Sequence, residues 1–177
     1  MNFLEYEKYI YDICKSLGIP ENYSEICGVE IQLESRKLVN IGNDIYGRPQ
    51  LLQANAARSW ATMCKEAKND NIYLYVVSAF RSVNKQLEII QNKIDKGLLI
   101  SDILKVNTAP GYSQHHTGRA LDLTTNDCKP LSEAFDNTDA FYWLKENAKF
   151  FEYNLTYPKN NKFSIAYEPW HWAYVSE

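Results

Sequence analysis

The sequence predicts a single α+β domain with a central antiparallel sheet flanked by helices. Three observations carry that expectation. The chain has 177 residues, enough for one domain that buries roughly two-thirds of the surface its unfolded chain exposes. Apolar residues make up 45% of it, with 13 Tyr and four Trp, so the composition is globular and not disordered. Helical periodicity dominates early and strand patterns cluster late, which argues against an alternating, doubly wound fold. No repeat, low-complexity tract or Pro/Gly linker divides the chain.

Each element follows from its local pattern. From Phe3 to Leu17, Leu4, Ile10, Ile13, Cys14 and Leu17 recur at helical spacing, and Gly18 and Pro20 end the helix. Residues 21–50 are mixed, with a short strand expected around Val29 to Leu33 and a turn-rich "GNDIYGRPQ". Leu51 to Lys68 is Ala-rich and reads as helix. The stretch "NIYLYVVSAF" reads as a strand largely buried on both faces. Val83 to Lys96 is a further helix closed by Gly97, and a short helical piece near Ser101 to Lys105 is capped by Ser101. A loop then leads into a strand at Arg119 to Leu123. Ser132 to Phe150 reads as one helix with Phe135, Phe141, Leu144 and Ala148 toward the core. Strands are expected at Phe151 to Thr156, Phe163 to Tyr167 and His171 to Val175.

Charge and composition exclude several classes of function. Net charge is −3 and the basic residues are scattered, so no footprint for a phosphate backbone is present and no nucleic-acid partner is expected. No segment approaches the roughly 20 apolar residues of a membrane span. Glu5, Glu7 and Lys8 interrupt the N-terminus where a secretory signal needs an unbroken apolar run. The sequence therefore leaves localisation open. Cys14, Cys27, Cys64 and Cys128 are widely spaced and read as thiols, not as zinc ligands or a disulfide framework.

Chemistry concentrates in two short segments. The only histidines are His115, His116 and His171, with Asp122 near the first two and Glu168 near the third. Catalytic zinc takes three protein ligands and leaves a position for water, whose pKa it lowers from about 15.7 to about 7. Such a hydrolase also needs a general base within reach. "EPWHW" offers His171 as a ligand and Glu168 as a base, with Pro169 stiffening the turn between them. The residue types also admit a plainer reading: a packed His171 among aromatics, a buried hydrogen-bonded Asp122 and a turn-capping Glu168.

Three ordered motifs then bear a family resemblance. "SQHHTGRALD", Ser113 to Asp122, matches S-x-H-x-x-G-x-A-x-D; "EPWH", Glu168 to His171, matches E-x-x-H; and "SAFRS" with Gln86 is similar to S-G-Y-R-S…Q. Together, supported by "YGRPQLL", "APGYS" and "WLKENAKFFEYNLTYP", they resemble the VanY-type zinc D-Ala-D-Ala carboxypeptidases over about residues 44–177. The resemblance implies a Hedgehog/DD-peptidase-like fold. It implies a zinc carboxypeptidase domain over residues 44–177 and does not cover residues 1–43, which are expected to form an N-terminal helical segment packed on that domain. It makes His115, Asp122 and His171 ligands to one zinc ion, Glu168 the base, and Arg81 the cation that stabilises the oxyanion. Ser113, Gln86 and Trp170 are implied substrate contacts. The implied substrate is a peptidoglycan stem peptide or precursor losing its C-terminal D-alanine. An endopeptidase of related fold and a zinc-containing binding module are the rivals, and a module without turnover would have no use for Glu168 and Arg81.

Strand alternation runs against one part of this transfer. A continuous strand through residues 115–122 would place His116, not His115, on the face of Asp122. His115 needs a break, which Gly118 can supply, and His116 is then left beside the ligands or at the pocket rim. Two departures from the family pattern stand out: Gln114 replaces a residue that is commonly acidic, and Ala173 replaces a common arginine.

Overall fold

Asn2 accepts the backbone N–H of Glu5, and the Glu5 carboxylate accepts that of Asn2. This reciprocal cap starts α1 (Phe3–Ser16) in the computed structural model, which describes residues 2–175. Tyr6, Ile10, Ile13 and Cys14 face inward, whereas Leu4, expected on that face, is 75% exposed. After α2 (Tyr23–Cys27) the strand expected at Val29 to Leu33 does not form. The amides there and just beyond are used otherwise: Gln32 N–H donates to Gly111 and Ser35 N–H to His116.

A hairpin follows, β1 (Leu38–Asn43) and β2 (Pro49–Gln53). Its turn is built on the buried Asp44 carboxylate, which accepts from Tyr46 N, Arg48 N, Arg48 Nε and Gln50 Nε2. The helix expected from Leu51 starts later, as α3 (Ala54–Asn69). Leu51 and Leu52 pair with Asn40 and Val39 instead; a short apolar run does not by itself separate strand from helix. β3 (Tyr75–Ser78) begins three residues after Ile72, where its ladder partner β4 becomes available, and Tyr73 and Tyr75 stay exposed while Val76 and Val77 are buried. The expectation of burial on both faces thus holds only for its centre.

Ser82 caps α4 (Val83–Ile94), which stops short of Lys96. α5 (Ile100–Val106) is preceded by Leu99 at the cap position, so Ser101 lies inside the helix. β4 (Ala120–Thr124) is buried throughout. The single helix expected over Ser132 to Phe150 is three pieces: a 3₁₀ turn at Glu133–Asn137, α6 (Asp139–Asn147) and a 3₁₀ turn at Ala148–Phe151. Thr138 makes the break, with extended backbone and a hydroxyl that caps Phe141 N–H. β5 (Tyr153–Leu155) and β6 (His171–Tyr174) complete the chain. No strand forms over Phe163 to Tyr167, because Ser164 and Ala166 donate to Cys27 and Lys105.

Four strands make the main sheet in the order β3-β4-β6-β5, every pair antiparallel, and β1-β2 stands apart. The α+β class with an antiparallel sheet and flanking helices is therefore observed. One core lies between the main sheet, α3 and α6 and contains Met63, Leu121, Leu123, Leu144, Tyr153 and Trp172. A second joins α1 and α2 to α4 and α5 through Ile10, Tyr23, Ile90 and Ile103. All four cysteines are free thiols.

Candidate active site

Register sets the centre of the site. Asp122 on β4 lies opposite His171 on β6 and opposite Ser78 on β3, so three adjacent antiparallel strands present these residues in one row. Directly opposed residues bring their Cβ atoms to about 4.5–5.5 Å. His115 reaches the same point from a 3₁₀ turn at Gln114–Thr117, capped by Ser113, whose Oγ accepts His115 N–H at 3.3 Å. Gly118 ends that turn at φ +67°, and a Cβ there would lie 2.6 Å from Leu38 Cδ2. This is the break that the alternation argument requires.

The geometry is one that could hold a metal ion. Donor atoms of His115, Asp122 and His171 all lie within 4.8 Å of one another, and all three residues are buried. Asp122 Oδ1 is 3.1 Å from His171 Nδ1, and Oδ2 is 3.3 Å from His115 Nε2. Each ring is fixed from behind. His115 Nδ1 donates to the Ala79 carbonyl at 2.5 Å, leaving the Nε2 lone pair toward Asp122. His171 Nε2 donates to Gln114 Oε1 at 2.9 Å, leaving Nδ1 toward Asp122. One carboxylate and two neutral imidazoles with convergent lone pairs fit a zinc ion. Burial alone would raise the Asp122 carboxyl, but in the metal-free site a proton on the facing nitrogen of His115 or His171 outweighs it and holds the carboxyl well below the usual carboxylate range, a part that a bound cation would take over. Burial also lowers the basicity of His115, against the pull of Asp122; both shifts keep the set in its metal-binding protonation states.

Glu168 stands beside this triad. Its Oε2 is 3.8 Å from His171 Nδ1, and its N–H donates to the Tyr157 carbonyl at 3.0 Å. His171 N–H closes the turn onto Glu168 O at 3.1 Å, with Pro169 in the position where its fixed φ helps. Burial pushes the Glu168 carboxyl up to about 7, against the attraction of His171. Arg81 approaches from the other side, its Nη2 3.7 Å from Asp122 Oδ2. Nη1 donates to Gln86 Oε1 and Nη2 to Ser78 Oγ, each at 3.0 Å. Gln86 is spent in holding this arrangement, because its Nε2 donates to the Thr108 carbonyl at 2.7 Å. A cavity of about 320 Å³ opens over these groups, and Ser113, Gln86 and Trp170 line it with the triad, Glu168 and Arg81.

The pattern of three motifs on this fold has a match in sequence. The family model for VanY, D-alanyl-D-alanine carboxypeptidase, matches residues 49–177. The chain belongs to the VanY family. Among curated VanY relatives, "Putative carboxypeptidase YodJ" of Bacillus subtilis (strain 168) is 33% identical over 171 residues, which covers 92% of this chain and 58% of that one. A D-alanyl-D-alanine carboxypeptidase of Enterococcus faecalis (strain ATCC 700802 / V583) is 29% identical over 119 residues, covering 62% of this chain and 42% of the relative. The chain thus spans about half the length of these two relatives. Among solved structures, the LdcB LD-carboxypeptidase superposes with a TM-score of 0.72 at 31% identity, covering 82% of this chain and 71% of that chain. The vancomycin-resistance D,D-pentapeptidase VanY in complex with Zn(II) shares the fold, with a TM-score of 0.60 at 24% identity over 89% of this chain and 83% of that one. The YodJ alignment reaches into the N-terminal segment, where the motif resemblance stops.

Within this VanY-family site, several residues escape motif reading. Ser78 was legible only as the first letter of "SAFRS", yet it anchors Arg81. Tyr157 packs its ring 4.9 Å from that of His171 and lines the cavity; it lies in "WLKENAKFFEYNLTYP", but nothing there singles it out as a site residue. Gln114 makes the bond to His171 and takes a second from Thr156 Oγ1 at 2.9 Å, so a neutral side chain supplies the acceptor behind the His171 ring. Ala173 is buried and lines a separate groove with Gln114 and Arg119. His116 is fully buried and does not reach a rim.

Proposed function

We propose that this protein is a zinc-dependent carboxypeptidase that removes a C-terminal D-alanine from peptidoglycan stem peptides or their precursors. One observation carries the reading: a partly buried Glu168 carboxyl, raised to about 7, adjoins a convergent His–Asp–His donor set, and the Arg81 guanidinium flanks that set. His115 Nε2, Asp122 and His171 Nδ1 would hold the zinc. When bound, the ion supplies Lewis acidity, making water acidic near neutral pH and polarising a carbonyl.

The protein's own groups do the rest. Glu168 takes a proton from the attacking water and returns it to the departing amine, so that one peptide bond and one water become a carboxylate and an amine. A carboxyl near pH 7 is suited to both halves of that exchange. Arg81, held rigid by Ser78 and Gln86, neutralises charge developing on the carbonyl oxygen without having to reorient. Ser113 and Trp170 shape the cavity around the peptide end. The names of the relatives favour this substrate class, and D,D- and L,D-carboxypeptidases both occur among them.

Glu168→Ala should retain about one zinc per chain and lose about 10²- to 10⁴-fold in kcat. Metal analysis together with mass spectrometry of pentapeptide and tetrapeptide muropeptides measures both. Loss of one terminal alanine is the expected product, an internal cut would replace carboxypeptidase by endopeptidase, and a variant as fast as wild type would remove Glu168 from the mechanism.

A further inference from the structure

We propose that Lys93 binds the free C-terminal carboxylate of the peptide and thereby makes the cavity selective for chain ends; this rests on the carboxypeptidase reading above. Lys93 and Gln86 are seven residues apart on α4, two turns along one face, and both line the cavity with Arg81, Ser113 and Thr108. Both reach one dipeptide of the lining: Thr108 O accepts from Gln86, and Asn107 Oδ1 accepts from Lys93 Nζ. Gln86 holds Arg81 in turn, so the bonds run from Arg81 through Gln86 to the segment on which Lys93 rests.

Glu133 and Glu168 line the same cavity, but neither closes an ion pair with Lys93. Among the described residues, no carboxylate lies within 4.0 Å of Lys93 Nζ; the only carboxylate that close to Arg81 is Asp122, which faces His115 and His171. Burial, then the charge of Arg81, lowers the basicity of Lys93, and the opposite charge of an anion arriving nearby would offset that. The reaction supplies such an anion. A carboxypeptidase substrate carries its terminal carboxylate one residue beyond the scissile carbonyl, while an endopeptidase substrate has a neutral peptide group there. A lysine ammonium hydrogen-bonds a carboxylate more strongly than it does an amide.

Binding, which does not depend on turnover, is the measure. Zinc-loaded full-length Glu168→Ala protein is titrated by calorimetry with an N-acetylated peptide ending in D-Ala-D-Ala, as the free acid and as the C-terminal amide. The acid should bind about tenfold to a hundredfold tighter. Adding Lys93→Gln, which can keep the bond to Asn107 without the charge, should abolish that preference by weakening the acid alone, and Lys93→Arg should largely restore it. Equal binding of the two forms, no detectable binding of either, or a Lys93→Gln variant that keeps the preference overturns the assignment, as does one that weakens both forms equally while its melting temperature is unchanged. If Lys93→Gln does not fold, loss of the preference in Lys93→Arg as well overturns it. Turnover by the protein with Glu168 intact is scored separately: charge-selective binding without hydrolysis would refute the enzyme and leave the Lys93 contact standing.

Discussion

His115 and His116 are neighbours in the chain, yet their rings do opposite work. His115 turns its Nε2 lone pair to Asp122. The Nδ1 of His116 donates to the Arg81 carbonyl at 2.6 Å, and its Nε2 accepts Gly111 N–H at 3.0 Å. A carbonyl only accepts and an amide N–H only donates, so the His116 ring is held neutral with both nitrogens used. It clamps the backbone of Arg81 to the loop that carries His115. Burial lowers its pKa to about 4, from 6.5 for an unperturbed ring. Because the unfolded state gains its proton first as pH falls, this group's contribution to stability is full above pH 6.5, declines below it and is gone by about pH 4. At about 1.4 kcal/mol per unit of separation, the loss is on the order of 3 kcal/mol. Urea unfolding of metal-free protein should therefore show a steeper fall between pH 7 and 4 for wild type than for His116→Gln. Parallel pH profiles would place the proton elsewhere.

At the scale of elements, the site depends on a short loop locked from several directions. Residues 111–118 receive Gln32 N–H at Gly111 O, Ser35 N–H at His116 O and Gln53 N–H at Gly118 O, at 2.7–2.8 Å. The irregular segment after α2, which forms no strand, and the end of β2 thus act as the loop's outer supports. Helix α1 presses on it from a further side. Gly111 has φ +87°, and a Cβ there would lie 2.5–2.7 Å from three side-chain atoms of the buried Ile10. Gly111→Ala combines backbone strain with overpacking and should cost about 3 kcal/mol. Denaturant titration measures that cost, and weaker zinc binding should accompany it, because His115 and the clamp at His116 move with the loop. An alanine variant as stable as wild type would mean that α1 yields freely at this contact.

Across the whole molecule, the donor set joins parts of the chain far apart in sequence: the turn at His115, β4 at Asp122 and β6 at His171. An ion bound to all three holds the main sheet to the loop that also carries the contact with α1. Anything that binds only the folded state stabilises it, by about 4.1 kcal/mol at a thousandfold excess over Kd. For a domain of this size, stripping zinc with a chelator should lower the melting temperature by roughly 10 °C, and adding zinc back should restore both the temperature and hydrolysis. Calorimetry with and without chelator tests this; no change would exclude these residues as a zinc site.

Much of the site was legible in the chain because its chemistry is local in type and ordered in spacing. The three histidines with Asp122 and Glu168 marked two chemical segments, while the choice of His115 over His116 and the roles of Arg81 and Gln86 came from the resemblance of "SQHHTGRALD" and "SAFRS…Q" to the VanY pattern. The helices α1, α3 and α4 were equally visible, since an amphipathic helix writes its period into consecutive residues. What the sequence could not express is which distant groups satisfy each backbone and side chain. Residues 29–33 and 163–167 carry strand-like patterns but spend their amides on loops and helix ends, and Leu51 to Gln53 leave a helical composition to pair with β1. His116 as a clamp, Gln114 as the partner of His171, and Lys93 in the cavity wall on Asn107 are facts of tertiary contact. The sequence by itself determined which candidate donors are present and their order; only the packed structure decided which lone pairs converge, because that direction is set by hydrogen bonds to residues tens of positions away.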